Sequence, residues 1–173
     1  MDIEHLKNSI RNIPDYPKPG IQFKDITPIL QNPELFGNVI DIFYDRYKNE
    51  KIDVIVGIES RGFIFAAPLA LKLGCSLAIA RKPGKLPYET VSAEYSLEYG
   101  VDTLELHTDA FNPGEKVLIM DDLLATGGTA KAAGKLVKKL KGKIECFAFL
   151  INLVELKGID MLKPHPIFCI VED

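Results

Sequence analysis

Residues 117–133 read VLIMDDLLATGGTAKAA. Four apolar residues, Val117 to Met120, run into two adjacent acids, Asp121 and Asp122, and a Thr-Gly-Gly-Thr turn follows at 126–129. A helix opening at such a turn offers unpaired N–H groups and a partial positive charge, which together attract an anion. Gly127 and Gly128 leave those amides uncovered, and Thr126 and Thr129 add hydroxyl donors, so Ala125–Thr129 reads as a phosphate cradle. Two carboxylates beside one phosphate would repel it unless they serve another part of the same ligand. Sugar hydroxyls, with or without a divalent cation, are what carboxylates accept from, and a ribose phosphate satisfies both halves. No G-K-[S/T] follows the glycines and G-x-G-x-x-G occurs nowhere, which sets aside the P-loop and the dinucleotide fingerprint.

Other residues could add chemistry. The turn Glu59-Ser60-Arg61-Gly62 follows the apolar run IDVIVG at 52–57 and points Arg61 toward the same crevice. Arg81, Lys82 and Lys85 bring more positive charge in a stretch otherwise poor in acids. Phe23, within PGIQFKDITPIL at 19–30, offers a flat face to a ring. Residues 82–100 lose periodicity and carry Pro83, Gly84 and Pro87, and a loop of that length inside a small domain usually has a task. The three histidines (His5, His107, His165) show no metal-ligand spacing. The three cysteines (Cys75, Cys146, Cys169) form no C-x-x-C pair and read as structural thiols of a reducing compartment.

These residues need elements to hold them. Ile3, Leu6, Ile10 and Ile13 recur at helical spacing and predict a short amphipathic helix before Pro14, followed by a stiff extended connection, PDYPKPG, at 14–20. Asn32-Pro33-Glu34 is a helix start, and Phe36, Val39, Ile40, Phe43 and Tyr47 form its core-facing stripe. Apolar strands are expected at 52–57, 76–80, 117–120, 144–153 and 167–171. Helices are expected near 63–73 and at 127–141, the latter with the stripe Ala130, Ala133, Leu136, Val137 and Leu140. Strands that are apolar throughout and alternate with helices predict an α/β fold, a parallel sheet covered on both faces. Ligands of such sheets sit outside the carboxyl ends of the strands, where Asp121 and Asp122 would be displayed.

At 173 residues the chain is read as one domain, 1–173, with room for a proper core. A net charge of −3 gives no footprint for non-specific nucleic-acid binding. The charged first eight residues exclude a signal peptide, and no run reaches the length of a membrane span, so a cytoplasmic location is expected.

The strand, the two acids and the T-G-G-T turn together resemble the signature of type I phosphoribosyltransferases, which bind 5-phosphoribosyl-1-pyrophosphate. PGIQFKDITPIL (19–30), GIESRGFIFAAPLA (57–70) and ARKPGKLPYETVSAEYSLEYG (80–100) resemble the branch that uses adenine, and the likeness runs from about Ile13 to Phe168. The resemblance implies a mostly parallel central sheet flanked by helices, and a small N-terminal hood from 1–35 with the 150–173 region. It also implies a mobile loop at 83–98 that closes over the site, and a homodimer. Ribose phosphate would fall to Asp121, Asp122, Ala125, Thr126, Gly127, Gly128 and Thr129, and pyrophosphate to Glu59, Ser60, Arg61, Arg81, Lys82 and Lys85. Gln22, Phe23, Lys24 and Leu153 would take adenine, with the backbone at Gln22 and Lys24 reading the base edge. Glu98 and Tyr99 in SLEYG, with Arg61, are the candidate catalytic residues, Glu98 as acid/base on the purine. Mg²⁺ would be held mainly by substrate near Asp121 and Asp122. Adenine and the pyrophosphate donor would give AMP and pyrophosphate, with no nucleic acid or membrane as partner. Tyr88 departs from the basic or small residue the family carries there. A sibling enzyme for hypoxanthine, guanine or xanthine, or a regulator that senses ribose phosphate without reacting, shares the ribose-phosphate half. No module of DNA-binding size is seen ahead of the domain, and the intact loop with Glu98 favours catalysis.

Overall fold

Asp15 and Gly20 decide how the chain begins. In this computed structural model, which describes residues 3–97 and 100–173, the chain forms two units, Met1–Phe43 and Tyr44–Asp173. In the first, helix α1 (Ile3–Asn8) ends early and β1 (Arg11–Pro14) doubles back to pair antiparallel with β2 (Gln22–Asp25), Ile13 opposite Phe23. Helical spacing therefore predicts too much helix here, since Ile10 lies beyond α1 and Ile13 is in a strand. The segment 14–20 is a hairpin turn rather than an extended connection. Asp15 and Gly20 take left-handed backbone (φ 58° and 88°), and the Gly20 N–H donates to Asp15 Oδ1 at 2.7 Å. Helix α2 (Thr27–Gln31) starts on buried Asp25, whose carboxylate accepts from the Thr27 N–H and hydroxyl, both at 2.9 Å. Helix α3 (Pro33–Tyr47) begins as the sequence predicts: Asn32 Oδ1 accepts from the amides of Glu34 (3.0 Å) and Leu35 (3.2 Å). Val39, Ile40, Phe43 and Tyr47 are buried, while Leu35 rather than half-buried Phe36 occupies the buried place in its first turn.

The second unit runs β3 (Val54–Ile58), α4 (Gly62–Leu73), β4 (Ser76–Ala80), β5 (Thr90–Leu97), β6 (Gly100–His107), β7 (Lys116–Leu124), α5 (Gly128–Lys139), β8 (Lys143–Asn152), a 3-10 turn at Val154–Leu156, α6 (Gly158–Leu162) and β9 (Ile167–Glu172). Five strands form an all-parallel sheet in the order β4-β3-β7-β8-β9. Val54, Val56 and Ile58 cluster with Val117, Ile119, Phe147, Phe149 and with Ala133, Leu136 and Val137 of α5. Gly57 points the other way, where a Cβ would lie 3.0 Å from Ala66 Cβ on α4. Helices thus cover both faces, as uniformly apolar strands require. Each fully buried Val, Leu, Ile or Phe contributes roughly 1.5–3 kcal/mol.

Within the stretch 82–100 expected to be aperiodic, residues 90–97 instead form β5, which pairs antiparallel with β6, Ala93 facing Leu104 and Tyr95 facing Asp102. Ala93, Tyr95, Leu104 and Leu106 are buried in the main core cluster.

Candidate active site

The strand order places a topological switch between β3 and β7, because the chain moves outward from β3 to β4 and then returns to β3's other side. Crevices at such switches are where open parallel sheets bind ligands. The two strands there end unevenly. Pairing of β3 with β7 stops at Gly57–Met120, whereas β7 continues beside β8 as far as Leu124–Asn152. Asp121 and Asp122 therefore lie within β7 rather than after it, which corrects the expected boundary at Met120. Asp122 is buried, at 4% exposure, and Asp121 is half-buried, so the pair is less open than a strand-end reading implies.

Gly62 closes the floor of this step. A Cβ there would sit 2.7 Å from the Met120 carbonyl oxygen and 3.0 Å from Asp121 Oδ1, so a glycine lets α4 begin directly against β7. Arg61, one residue earlier, places Nη2 2.8 Å from Asp122 Oδ2. The Asp122 N–H donates to Asp121 Oδ1 at 2.9 Å. Burial raises Asp121 well above the ordinary carboxylate range, and the neighbouring Asp122 charge adds to the effect. Burial raises Asp122 too, with the Arg61 guanidinium pulling against it. Hydroxyl donors or a cation arriving at this pair would favour its ionised form.

Five residues after Asp122, Gly127 ends the loop in left-handed backbone (φ 85°), and no side chain caps α5. The first amides of α5 thus lack an intrahelical partner, as an anion site requires. Packing gives its own reason for glycine at 127. A Cβ would meet the Gly158 carbonyl oxygen at 2.6 Å, and a Cβ on Gly158 would meet the Ala125 carbonyl oxygen at 2.2 Å. The loop is seated backbone to backbone on the start of α6. Thr126 is exposed and Thr129 half-buried.

The basic residues are not loose charges. Glu59 Oε1 accepts from Arg81 Nη2 (3.2 Å) and Lys85 Nζ (3.0 Å), and Oε2 from the Lys82 N–H (2.8 Å). Burial alone would push Glu59 up, yet these donors outweigh it and hold the carboxyl at about 2. Lys82 extends to Asp102 Oδ2 at 2.7 Å. The stretch after β4 is poor in acids along the chain but not in space: Glu59 arrives from β3 and Asp102 from β6. Ser60 is exposed beside Arg61.

The expected base contacts are distributed over both units. Gln22 and Lys24 lie on β2 with Phe23 between them, half-buried, its ring edge-on to Tyr16 at 5.1 Å. Lys24 Nζ donates to Asn12 Oδ1 at 2.7 Å. Leu153 follows β8 in the other unit, where its N–H donates to the Leu124 carbonyl at 2.9 Å. Glu98 and Tyr99 lie outside the described residues. Sequence reasoning gave no place to Tyr95 or Lys131. Tyr95 and Lys131 line a cavity of about 390 Å³ with Val101 and Gly128. The signal for Tyr95 was present: Val91, Ala93 and Tyr95 alternate with polar residues at the period of a strand.

The profile of the phosphoribosyl transferase domain matches residues 25–164. An adenine phosphoribosyltransferase of Chloroflexus aurantiacus is 53% identical over 172 residues, 99% of either chain. The crystal structure of adenine phosphoribosyltransferase from Thermoanaerobacter pseudethanolicus superposes with a TM-score of 0.97 at 47% identity, covering 99% of this chain and all of that one. The Saccharomyces cerevisiae enzyme, crystallised with an imino-altritol bisphosphate and adenine, gives a TM-score of 0.92 at 42% identity over 98% of both chains.

Proposed function

We infer the reaction from family membership: the chain belongs to the phosphoribosyl transferases, and within them to the adenine phosphoribosyltransferases. It transfers the 5-phosphoribosyl group of 5-phosphoribosyl-1-pyrophosphate to adenine, giving AMP and pyrophosphate, and so returns a free base to the nucleotide pool. The observation that carries this reading is the acid pair on β7 set directly before the uncapped start of α5.

The steps follow from the residues. Asp121 and Asp122 accept from the ribose hydroxyls, and their charge steadies the positive charge that grows on the sugar ring as the C1′–O bond loosens. The amides opening α5, with Thr126 and Thr129, take the 5′-phosphate. The electron pair of the breaking bond leaves with pyrophosphate, which Arg61, Arg81, Lys82 and Lys85 receive, with Ser60 beside them and Glu59 ordering the cations. Adenine, read by the backbone at Gln22 and Lys24 and held by Phe23 and Leu153, forms the new bond to C1′. Glu98, aided by Tyr99, handles the purine proton. No covalent nucleophile is needed.

Two carboxylates with no nitrogen or sulfur donor suit a hard cation. No group of three or more metal-binding side chains occurs among the described residues. That donor set fits Mg²⁺ held chiefly by substrate oxygens near Asp121 and Asp122. When bound there, it supplies neutralisation of the charge developing on the leaving group. A homodimer is part of the same reading, and exposed Leu71, Leu77 and Ile79 on α4 and the edge strand β4 support it. Three free cysteines support a reducing cytoplasm, and no helix among the described residues is long and apolar enough to cross a membrane.

Incubation with adenine, the pyrophosphate donor and Mg²⁺ tests the reading. AMP and pyrophosphate are expected in equal amounts, with hypoxanthine and guanine used at least about 100-fold less well. Absence of pyrophosphate release at every Mg²⁺ concentration would end it.

A further inference from the structure

Lysines gather on one side of α5. Lys131, Lys135 and Lys138 recur at helical spacing, are exposed, and form no ion pair or side-chain hydrogen bond among the described residues. Like charges three and four positions apart repel one another, and the helix sequence GTAKAAGKLVKK holds no acid to offset them.

This row rims a hollow of about 120 Å³ between α5, β8 and the segment that runs from α6 toward β9. Ile144, Phe147 and Leu162 give it an apolar floor. A Cβ at Gly134 would stand 3.2 Å from Phe147 Cζ, so glycine keeps that floor clear. The His165 ring packs edge-on to Phe147, centroids 5.9 Å apart, and its Nε2 is buried with no hydrogen-bond partner. A buried polar atom left unpaired calls for an occupant that pairs it. Burial and the Lys138 charge hold His165 below its usual range, so the ring is neutral at pH 7 and adds no charge to the rim. Lys163 stands at the same rim, tied to Asp160 Oδ1 at 2.6 Å, but both side chains are more than half exposed and such a pair yields easily.

An apolar floor, one unpaired polar atom and a row of unpaired ammonium groups suit a flat ring that carries anionic groups. The volume is many times the ~10–15 Å³ that one water needs and far short of the roughly 300 Å³ that encloses a drug-sized ligand. One ring enters, and the charged part stays on the rim. Lys131 and Lys138 lie about 10 Å apart along the helix, more than a single phosphate spans. We propose that this hollow is a second, non-catalytic site for a nucleoside polyphosphate, its base against Phe147 and His165 and its phosphates along Lys131, Lys135 and Lys138.

One residue joins this site to the anion loop. Met161 lines the hollow, and its Cβ lies 3.0 Å from where a Cβ on Gly127 would be, so it also seats the loop. A base that presses on Met161 shifts the Gly127 turn and weakens donor binding, and the effect is reciprocal. This consequence, unlike the site itself, rests on the assignment of the 5′-phosphate to Ala125–Thr129 made above.

Calorimetric titration with GTP, at saturating 5-phosphoribosyl-1-pyrophosphate, tests the site. The donor fills the ribose-phosphate and pyrophosphate places and has no base to react with. One GTP per chain should bind, with guanosine and tripolyphosphate each at least about 10-fold weaker, since each lacks half of what is recognised. Lys135→Ala combined with Lys138→Ala should weaken GTP at least about 10-fold and leave kcat and KM measured without GTP unchanged. His165→Phe keeps the ring, removes the nitrogen and should weaken GTP about 5-fold. Saturating GTP should raise the donor KM about 5-fold in the parent and not in the double variant. Tripolyphosphate binding as tightly as GTP would leave only a basic surface and overturn the proposal. So would loss of GTP binding once the donor is saturating, or an unchanged GTP affinity in the double variant. An unchanged donor KM overturns the coupling. Failure of the donor to bind would overturn the assigned function, and GTP titration of the variants would still decide the site.

Discussion

Replacing Gly127 with alanine adds one methyl group at the point where the anion loop rests on α6. A residue with a side chain at φ 85° costs about 1–2 kcal/mol over glycine. The new Cβ would lie 2.6 Å from the Gly158 carbonyl oxygen and 3.0 Å from Met161 Cβ. The first neighbour is backbone and cannot swing aside, and Gly158 is itself pressed against the Ala125 carbonyl. Overpacking of that kind costs about 1–3 kcal/mol, which brings the sum to about 3 kcal/mol and lowers the melting temperature by roughly 6–12 °C. Relief of the contact needs the loop to move by roughly half an ångström, enough to stretch a good amide–phosphate hydrogen bond toward the limit of about 3.5 Å. Loss of one charge-assisted bond is worth about 1.5–3 kcal/mol, so kcat/KM for the ribose donor should fall about 10- to 100-fold. Scanning calorimetry and initial rates at varied donor concentration measure both effects. Gly37→Ala is the matched control: Gly37 lies inside α3 with open space around it, and the change should stabilise by up to about 1 kcal/mol. Melting within about 1 °C of the parent together with an unchanged donor KM would refute the reasoning.

Two further outcomes are expected. Glu59→Gln should lower stability at neutral pH and flatten the acid limb of the stability curve. The folded value, about 2, lies below the usual 4.5, so this carboxylate's contribution is complete above pH 4.5 and disappears as pH falls toward 2. The shift sets a ceiling near 3 kcal/mol, which screening at half-exposed Lys85 reduces to about 1–2 kcal/mol; an acid limb identical to the parent's counts against it. Asp121→Asn should behave oppositely on stability. Its folded value is raised, so ionisation above pH 3.8 costs the fold something, and the amide removes that cost while kcat/KM falls at least about 100-fold. Destabilisation like that of a core deletion, or retained turnover, would make Asp121 a structural residue.

How far the sequence carries the structure depends on which interactions are local. The β3, β4, β7, β8 and β9 strands, the helices α3, α4 and α5 and the capping of α3 by Asn32 all follow from apolar runs and turn residues a few positions apart. The N-terminal hairpin was hidden because Ile3, Leu6, Ile10 and Ile13 fit a helix, while the competing signal was the turn chemistry of Asp15 and Gly20. Strands β5 and β6 were hidden because a search for helical spacing passes over period-two alternation. The acid pair and the Thr-Gly-Gly-Thr turn were legible as a candidate site, since their types and order are contiguous. The pairing of Arg61 with Asp122, of Glu59 with Arg81 and Lys85, and of Lys82 with Asp102 was not, because each joins residues 20 or more positions apart that only the sheet brings together.

The uneven ending of β3 and β7 leaves residues 121–124 laddered to β8 alone, so main-chain amides and carbonyls on their other side carry no strand partner. One of these, the Asp122 amide, is already claimed by the Asp121 side chain. Recognition that draws on peptide groups is blind to the identity of the residue that bears them. A descendant of this chain could therefore exchange Leu123 or Leu124 for another apolar residue and keep the same polar ledge. Chemistry lodged on such a ledge drifts slowly, while the segments beyond the strand tips remain free to choose a new guest.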